Sequence, residues 1–364
     1  MFSRYPKYLV RLRTLSLVCL VAVVCGGPVG ATAFYLAIDV PTRLGGIDRT
    51  ANQVLRSDSG IYALALDLPV ATELAALHRR SDGVWMFSPA HPLTLGAATY
   101  EPRDIVAFDG VNYSMLLDGS GVGIPEYARI DALFQHPIAG IVLSFDVPVK
   151  LSGTEYSRSD LVRFNGGVFS LFWDAATAGV PLYSNVVGAA IDSAGAQVLS
   201  FDVPTNIAGT EYLPGQLVRW NNPGFSNYFI AAGWPVSTQL RDFAFVPPSG
   251  VVPNGSSAPG TPLTVTQAGG GQITLNWGVS CSSSDTDYEI YEGTIGIYYS
   301  HASKFCTTSG ATTKTFTPAS TNSYYLVVPR NAVSEGAYGT ASGGAQIPQG
   351  SSACVPQEVA VSCN

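Results

Sequence analysis

Between Tyr35 and Phe245 the chain is a succession of short apolar runs, each broken by Gly, Pro, Asn or Asp. Runs of this length, apolar throughout or alternating with polar positions, read as short strands. One stretch shows the pattern in full, with strand-like runs at Val142–Val147, Asp160–Phe164, Phe169–Trp173 and Val186–Ile191. The Asn165-Gly166-Gly167 step between the second and third runs is a hairpin signal, because these residues tolerate positive φ in tight turns. Asp109-Gly110 and Asn221-Asn222-Pro223-Gly224 occupy the corresponding place elsewhere.

The stretch recurs. Val142-Leu143-Ser144-Phe145-Asp146-Val147-Pro148 returns 56 residues later as Val198 to Pro204. Each copy continues through Gly-Thr-Glu-Tyr (Gly153–Tyr156, Gly209–Tyr212) to Leu-Val-Arg (Leu161–Arg163, Leu217–Arg219). Two diverged copies precede them, with openings Tyr35–Pro41 and Val84–Pro89. A closing phrase, Arg129-Ile130-Asp131-Ala132-Leu133-Phe134, is matched after the fourth copy by Arg241–Phe245. Four repeats of four strands, about fifty residues each, predict propeller blades, since a closed ring leaves few exposed sheet edges. The expected fold class is therefore all-β: a four-bladed β-propeller-like domain over 34–247.

Beyond a Pro/Gly/Ser/Asn linker at 248–260 the pattern changes. Leu263–Thr266, Ile273–Trp277, Asp287–Glu292, Thr312–Thr317 and Tyr324–Pro329 predict strands of a second module over 261–348, with Gly336–Gly339 leading a last one. A tail follows at 349–364.

The first 33 residues have a different character. Arg4, Lys7, Arg11 and Arg13 precede the apolar run Thr14–Cys25, and Ala31-Thr32-Ala33 suits a cleavage site. This is the form of a secretory signal peptide, with Phe34 as the first mature residue. Removing its four basic residues takes the net charge from −7 to −11. An acidic chain left with Lys150, Lys304 and Lys314 as its lysines is a poor partner for nucleic acid or anionic membranes. No later apolar run has membrane length. The expected location is extracellular or periplasmic.

Cys281, Cys306, Cys354 and Cys363 lie in the last quarter, an even number in an exported chain. Three pairings exist. The sequence-local one, Cys281–Cys306 with Cys354–Cys363, is the expectation. A zinc site has no C-x-x-C pair to support it.

Several repeated polar positions invite chemistry. Asp39, Asp146 and Asp202 share one place in three copies, with Ser88 replacing the acid in the second copy. Facing a channel they would form a partial acidic ring for a divalent cation such as calcium. Ending their strands, they would cap the turn before proline. Tyr100, Tyr156 and Tyr212, beside Glu101, Glu155 and Glu211, would stack on a glycan if exposed or pack between blades if buried. Trp234 lies in a loop that differs between copies. Asp118–Gly123 lacks the alternating carboxylates of a calcium loop. No G-x-S-x-G, H-E-x-x-H or P-loop occurs. None of His78, His91, His136 and His301 holds a repeated position, and the first three read as solvated. These features favour a non-catalytic binding or scaffold protein that meets a glycan or a cell-surface protein. The alternative is an extracellular polysaccharide hydrolase with acid and base among Asp118, Glu126, Glu155 and Glu211.

The succession Ile130–Phe134, Leu143–Phe145, Leu161–Phe164 resembles the rhythm of hemopexin-type four-bladed repeats. That resemblance implies that the strands of Asp131 and Asp242 line a central tunnel able to hold an ion, with Ala75 and Gly188 at the same position in the other copies. Phe145-Asp146, Asp160–Phe164, Gly166–Ser170, Asp118–Gly123 and Ile130–Leu133 resemble repeats of secreted bacterial proteins, and that resemblance implies no activity. Leu275-x-Trp277, Tyr288–Tyr291 and the late Tyr-x-Leu-Val-Val strand make Pro262 to about Pro348 resemble a fibronectin type III module, from which Cys281 and Cys306 depart.

Overall fold

The computed structural model describes residues 33–230, 234–235, 238–255, 258–350 and 352–360. The signal-peptide reading of residues 1–33 falls outside this range, apart from Ala33.

Four antiparallel four-stranded sheets form the first lobe. Their innermost strands are Leu74–Arg79, Ile130–His136, Val186–Ile191 and Leu240–Phe245. Each packs on the next, and the last packs on the first, which closes a propeller-like ring. The first blade is built from both ends of the lobe. Its inner strand is Leu240–Phe245, and its next strands are Phe34–Ile38, Gln53–Asp58 and Ile61–Asp67. Every closing phrase thus pairs forward. Val186–Ile191 hydrogen-bonds to Gln197–Phe201 of the following copy rather than to strands of its own. The sequence repeat and the blade are out of phase by one strand, and that offset lets the fourth copy complete the first.

Side-chain alternation supplies the glue. Leu133, Leu143 and Phe145 join Ala76, Met86 and Ile105 between blades two and three. Ala132 and Phe134, on the opposite face, join Leu199 and Phe201 between blades three and four. Two further apolar clusters complete the circuit, around Leu77, Phe87 and Tyr35 and around Leu36, Phe243 and Val198. Each blade also carries a hairpin of two three-residue strands, such as Val149–Leu151 with Thr154–Tyr156. The Gly-Thr-Glu-Tyr phrase belongs to these hairpins.

The second lobe is a pair of three-stranded sheets. Thr264–Gly269, Gln272–Asn276 and Thr313–Phe316 form one. Ala302–Phe305, Asp287–Thr294 and Ser323–Arg330 form the other. Leu275, Trp277, Tyr288, Ile290, Phe316 and Val327 pack between them. Ala302–Phe305 was not legible as a strand. Gly336–Gly339 is not one, since its backbone makes scattered loop hydrogen bonds instead, from Gly336 N–H to Pro329 O and from Ala337 N–H to Gly250 O.

The two lobes are hydrogen-bonded to each other. Ala332 N–H donates to the Ser81 carbonyl at 3.1 Å. Ser334 Oγ donates to the Pro247 carbonyl at 2.6 Å. Residues at the start of the expected linker are likewise tied down. Ser249 N–H donates to Glu358 O, and Gly250 N–H to Asp285 Oδ2, both at 2.8 Å. The tail runs back as a strap, forming parallel bridges from Val359 to Ser249 and from Gln357 to Glu335.

That return path corrects the expected disulfides. Cys306 is bonded to Cys354, with Cα atoms 5.5 Å apart, so neither Cys281–Cys306 nor Cys354–Cys363 forms. Sequence proximity misled because the tail folds back beside Ala302–Phe305, where Ser303 N–H donates to Ser352 Oγ. Cys281 is also disulfide-bonded, and Cys363 lies outside the described residues. The Cys306–Cys354 link closes a separation of 48 residues. Replacing both cysteines by serine is expected to lower unfolding free energy by about 4 kcal/mol. Guanidinium melts followed at Trp277 measure this, and a loss below about 1 kcal/mol contradicts the assignment.

Candidate ligand site at the ring axis

The four inner strands end around a cavity of about 510 Å³ on the ring axis. Register aligns Leu77, Leu133, Ala189 and Phe243 across the ring, each opposite the second strand of its blade. The residues that follow them face the cavity, among them His78, Phe134 and Ala190, then Arg79, Gln135, Ile191 and Phe245. Pro247, Glu358 and Val359 bring the lobe junction and the tail strap to its wall. The volume and the mixture of apolar wall and few polar groups are those of a small-molecule site.

The polar groups differ from blade to blade. His78 has a buried Nδ1 without a hydrogen-bond partner. Burial, with the nearby Arg80 charge, lowers its pKa to about 4, so it is neutral at physiological pH. His136 Nδ1 accepts the N–H groups of Ile138 and Ala139 at 3.1 and 3.0 Å, which leaves Nε2 as its other polar atom. Arg80 pairs with Asp82 at 2.5 Å, and Asp192 with Arg219 at 2.7 Å. Burial pushes Glu358 up to about 7, opposed by the Ala33 N–H that it accepts.

Deeper on the axis the ring closes on one carboxylate. Asp242 is 0% exposed. Its Oδ2 accepts the N–H groups of Leu77 (2.8 Å) and Leu133 (3.1 Å), and its Oδ1 accepts that of Phe243 (2.7 Å). The Ala189 N–H bonds to it as well. One side chain thus collects a backbone donor from every blade. Burial drives its pKa well up while these donors pull it down. Gly188 makes the room, since a Cβ there would lie 3.0 Å from the Phe243 ring and 3.2 Å from Asp242 Oδ1.

Asp131 is not its counterpart. Each inner strand carries a bulge, at Ala75, Asp131, Val187 and Arg241. Asp242 aligns instead with Ala76, Ala132 and Gly188, so the sequence alignment of the two acids is one residue out. Asp131 is buried between Ser144 Oγ (2.7 Å) and Asn185 Nδ2 (2.5 Å). The Ser144 hydroxyl also reaches the Val186 carbonyl at 2.7 Å. One hydroxyl proton cannot serve two acceptors, so a protonated Asp131 that donates to Ser144 satisfies all three groups. Burial accordingly raises its pKa to about 7.

Asp39, Asp146 and Asp202 do not line a channel. Each accepts an N–H at the start of its inner strand, from Gln239 (2.7 Å), Arg129 (2.8 Å) and Asn185 (2.8 Å). They are the turn caps, and the equivalent in blade two is Ala90, not Ser88. Among the described residues no group of three or more His, Cys, Asp or Glu is placed to hold a metal ion. Tyr100, Tyr156 and Tyr212 are buried in the clusters between blades, so they pack and present no stacking face. Trp234 is partly buried and donates to Tyr62 Oη at 3.0 Å. Asp118, Glu126, Glu155 and Glu211 are spread over outer loops and hairpins, and none lines the cavity. The cavity escaped the sequence reading because its residues vary between copies, and the polar ones carry no motif.

No family model matches the chain, and no curated protein does. Among solved structures, YCF48 bound to D1 peptide aligns at TM-score 0.26 and 8% identity over 64% of this chain and 57% of that one. The extracellular domain of the putative hybrid two-component system BT4673 from B. thetaiotaomicron aligns at 0.27 and 10%, over 63% and 35%. A streptogramin B lyase aligns at 0.23 and 11%, over 83% and 82%. The first two alignments thus span little more than half of those chains, or less. At these scores the propeller-like arrangement rests on strand order and the inner-strand ring alone. No helix among the described residues is long and apolar enough to cross a membrane.

Proposed function

We propose that this is a secreted or cell-envelope binding protein, without catalytic activity, whose four-bladed propeller seats a small ligand in the axial cavity. The observation that carries the reading is the 510 Å³ cavity at the mouth of the ring, walled by residues that the repeats do not share. Recurring residues are spent on packing, turn caps and the axis. The ones that vary converge on one place. The second lobe acts as a fibronectin type III-like spacer, a reading supported by its two facing sheets and the strand pairing within them. Its contacts with Ser81 and Pro247 hold it beside the cavity mouth.

Ligand-observed NMR against glycans, cell-wall fragments, short peptides and small metabolites tests this. Gln135 is exposed at the rim, and Gln135→Trp fills the mouth without touching the core. The expected result is at least one ligand class bound by the wild type and lost in Gln135→Trp. Binding that survives the substitution, or no binding from any class, sinks the proposal.

A further inference from the structure

This inference rests on the axial cavity as the ligand site and names what that site takes. Arg79 ends the inner strand of blade two and lines the cavity. Its guanidinium lies over the Trp85 ring, 4.4 Å from the centroid. Among the described residues it forms no ion pair. Its Nε is buried without a hydrogen-bond partner. The other lining charges are accounted for: Arg80 is held by Asp82, and Asp192 by Arg219. Glu358 accepts the Ala33 N–H. Arg79 is half-buried, so part of its guanidinium is shielded from water, and an acceptor arriving in the cavity would satisfy donors that no protein group takes. Its planar fork matches a carboxylate with two parallel hydrogen bonds.

The wall opposite is apolar, with Phe134, Ile191 and Phe245 contributed by the other three blades. His78, next to Arg79 in the chain, lines the cavity as well, with its Nδ1 buried behind the wall. We propose that the axial cavity binds a small organic carboxylate, its carboxyl group paired with Arg79 and its apolar body resting on Phe134, Ile191 and Phe245. Stacking on Trp85 fixes the guanidinium plane before the ligand arrives, which reduces the ordering cost of binding.

Calorimetric titration with phenylacetate and hexanoate, against the neutral phenylacetamide and hexanamide, tests the assignment. The acids are expected to bind the wild type about tenfold or more tightly than the amides. Arg79→Gln should remove that preference, Arg79→Lys should retain part of it, and Gln135→Trp should abolish binding of both. Circular dichroism and melting of each variant separate loss of binding from loss of fold. Acids and amides bound equally, and both lost in Gln135→Trp, overturn the carboxylate assignment while the cavity reading stands. If no acid binds while another ligand class is displaced by Gln135→Trp, the same conclusion holds. No ligand of any class, acids included, overturns both.

Discussion

Asp242→Ala is expected to cost the ring about 4 kcal/mol or more of unfolding free energy, the largest loss of any single polar substitution in the chain. The residue is fully buried, and its carboxylate receives the N–H groups of Leu77, Leu133, Ala189 and Phe243. Removing it strands four backbone donors at the one point where all blades meet. Each unsatisfied buried group costs roughly 1–3 kcal/mol, tempered by whatever water enters. Asp242→Asn keeps one acceptor oxygen and turns two donors toward the others, so an intermediate loss is expected. Guanidinium unfolding followed by tryptophan fluorescence measures both. A loss within about 1 kcal/mol for Asp242→Ala would show that the axis is not organised by this side chain.

Stability is expected to fall as pH rises from 5 to 8, against the usual habit of acidic proteins. Asp131 is one cause, alongside the fully buried Asp242, whose pKa burial also drives well up. The folded-state pKa of Asp131, raised by burial to about 7, exceeds the ordinary 3.8. A carboxyl raised in this way contributes stability that is fully present below 3.8 and lost as pH climbs through 7. For Asp131 alone the loss between pH 5 and 8 is about 3 kcal/mol. Glu358, raised to about 7 by burial, acts in the same direction.

The second lobe adds a further group. Tyr291 Oη sits 2.5 Å from Glu289 Oε2 and 2.7 Å from Glu335 Oε2. One phenolic proton cannot bridge two carboxylates, so one glutamate retains its own. Burial, reinforced by Glu335, raises Glu289. In the chain of donors, Glu289 gives to Tyr291, which gives to Glu335, while Tyr338 also donates to Glu335 at 2.7 Å. Losing the Glu289 proton above neutral pH sets two charges against each other in a closed space, offset in part by Arg330, whose Nη1 donates to Glu289 Oε1 at 3.2 Å.

Other carboxyls act oppositely. The Thr177 N–H holds Asp174 low, and the Asn112 N–H holds Asp109 low, so their contributions vanish as pH falls through the acid range. The stability maximum is therefore expected near pH 5. Melting temperature against pH measures it, with Asp131→Asn expected to flatten the alkaline side. A melting temperature that rises from pH 5 to 8 contradicts the neutral, proton-donating Asp131.

What the sequence disclosed follows the physics of each signal. The count of four units was legible because period-two alternation and Gly/Pro punctuation repeat at 56 residues. Turn capping by Asp39, Asp146 and Asp202 was one of two readings their position before Val-Pro left open, and only the fold of the inner strands decides against a channel-facing ring. The three-residue hairpin strands were not, since Thr154–Tyr156 is too short to show alternation. The bulges were invisible, and a single inserted residue was enough to align Asp131 falsely with Asp242. The Cys306–Cys354 bond depends on a tail that returns across 48 residues, which no local pattern encodes. The cavity depends on which residues happen to follow Leu77, Leu133, Ala189 and Phe243, and only closure of the ring places them together.

Histidine resonances offer the most direct test of that closure as a binding device. The chain has four histidines, and two of them, His78 and His136, lie on different blades and share the cavity wall. His91 and His301 lie elsewhere. Imidazole carbon–proton spectra recorded during titration with phenylacetate, or with whichever ligand the screen returns, should show His78 and His136 moving together while His91 and His301 stay fixed. Saturable shifts at His91 or His301 with His78 and His136 unmoved would place the ligand outside the ring axis and contradict the account.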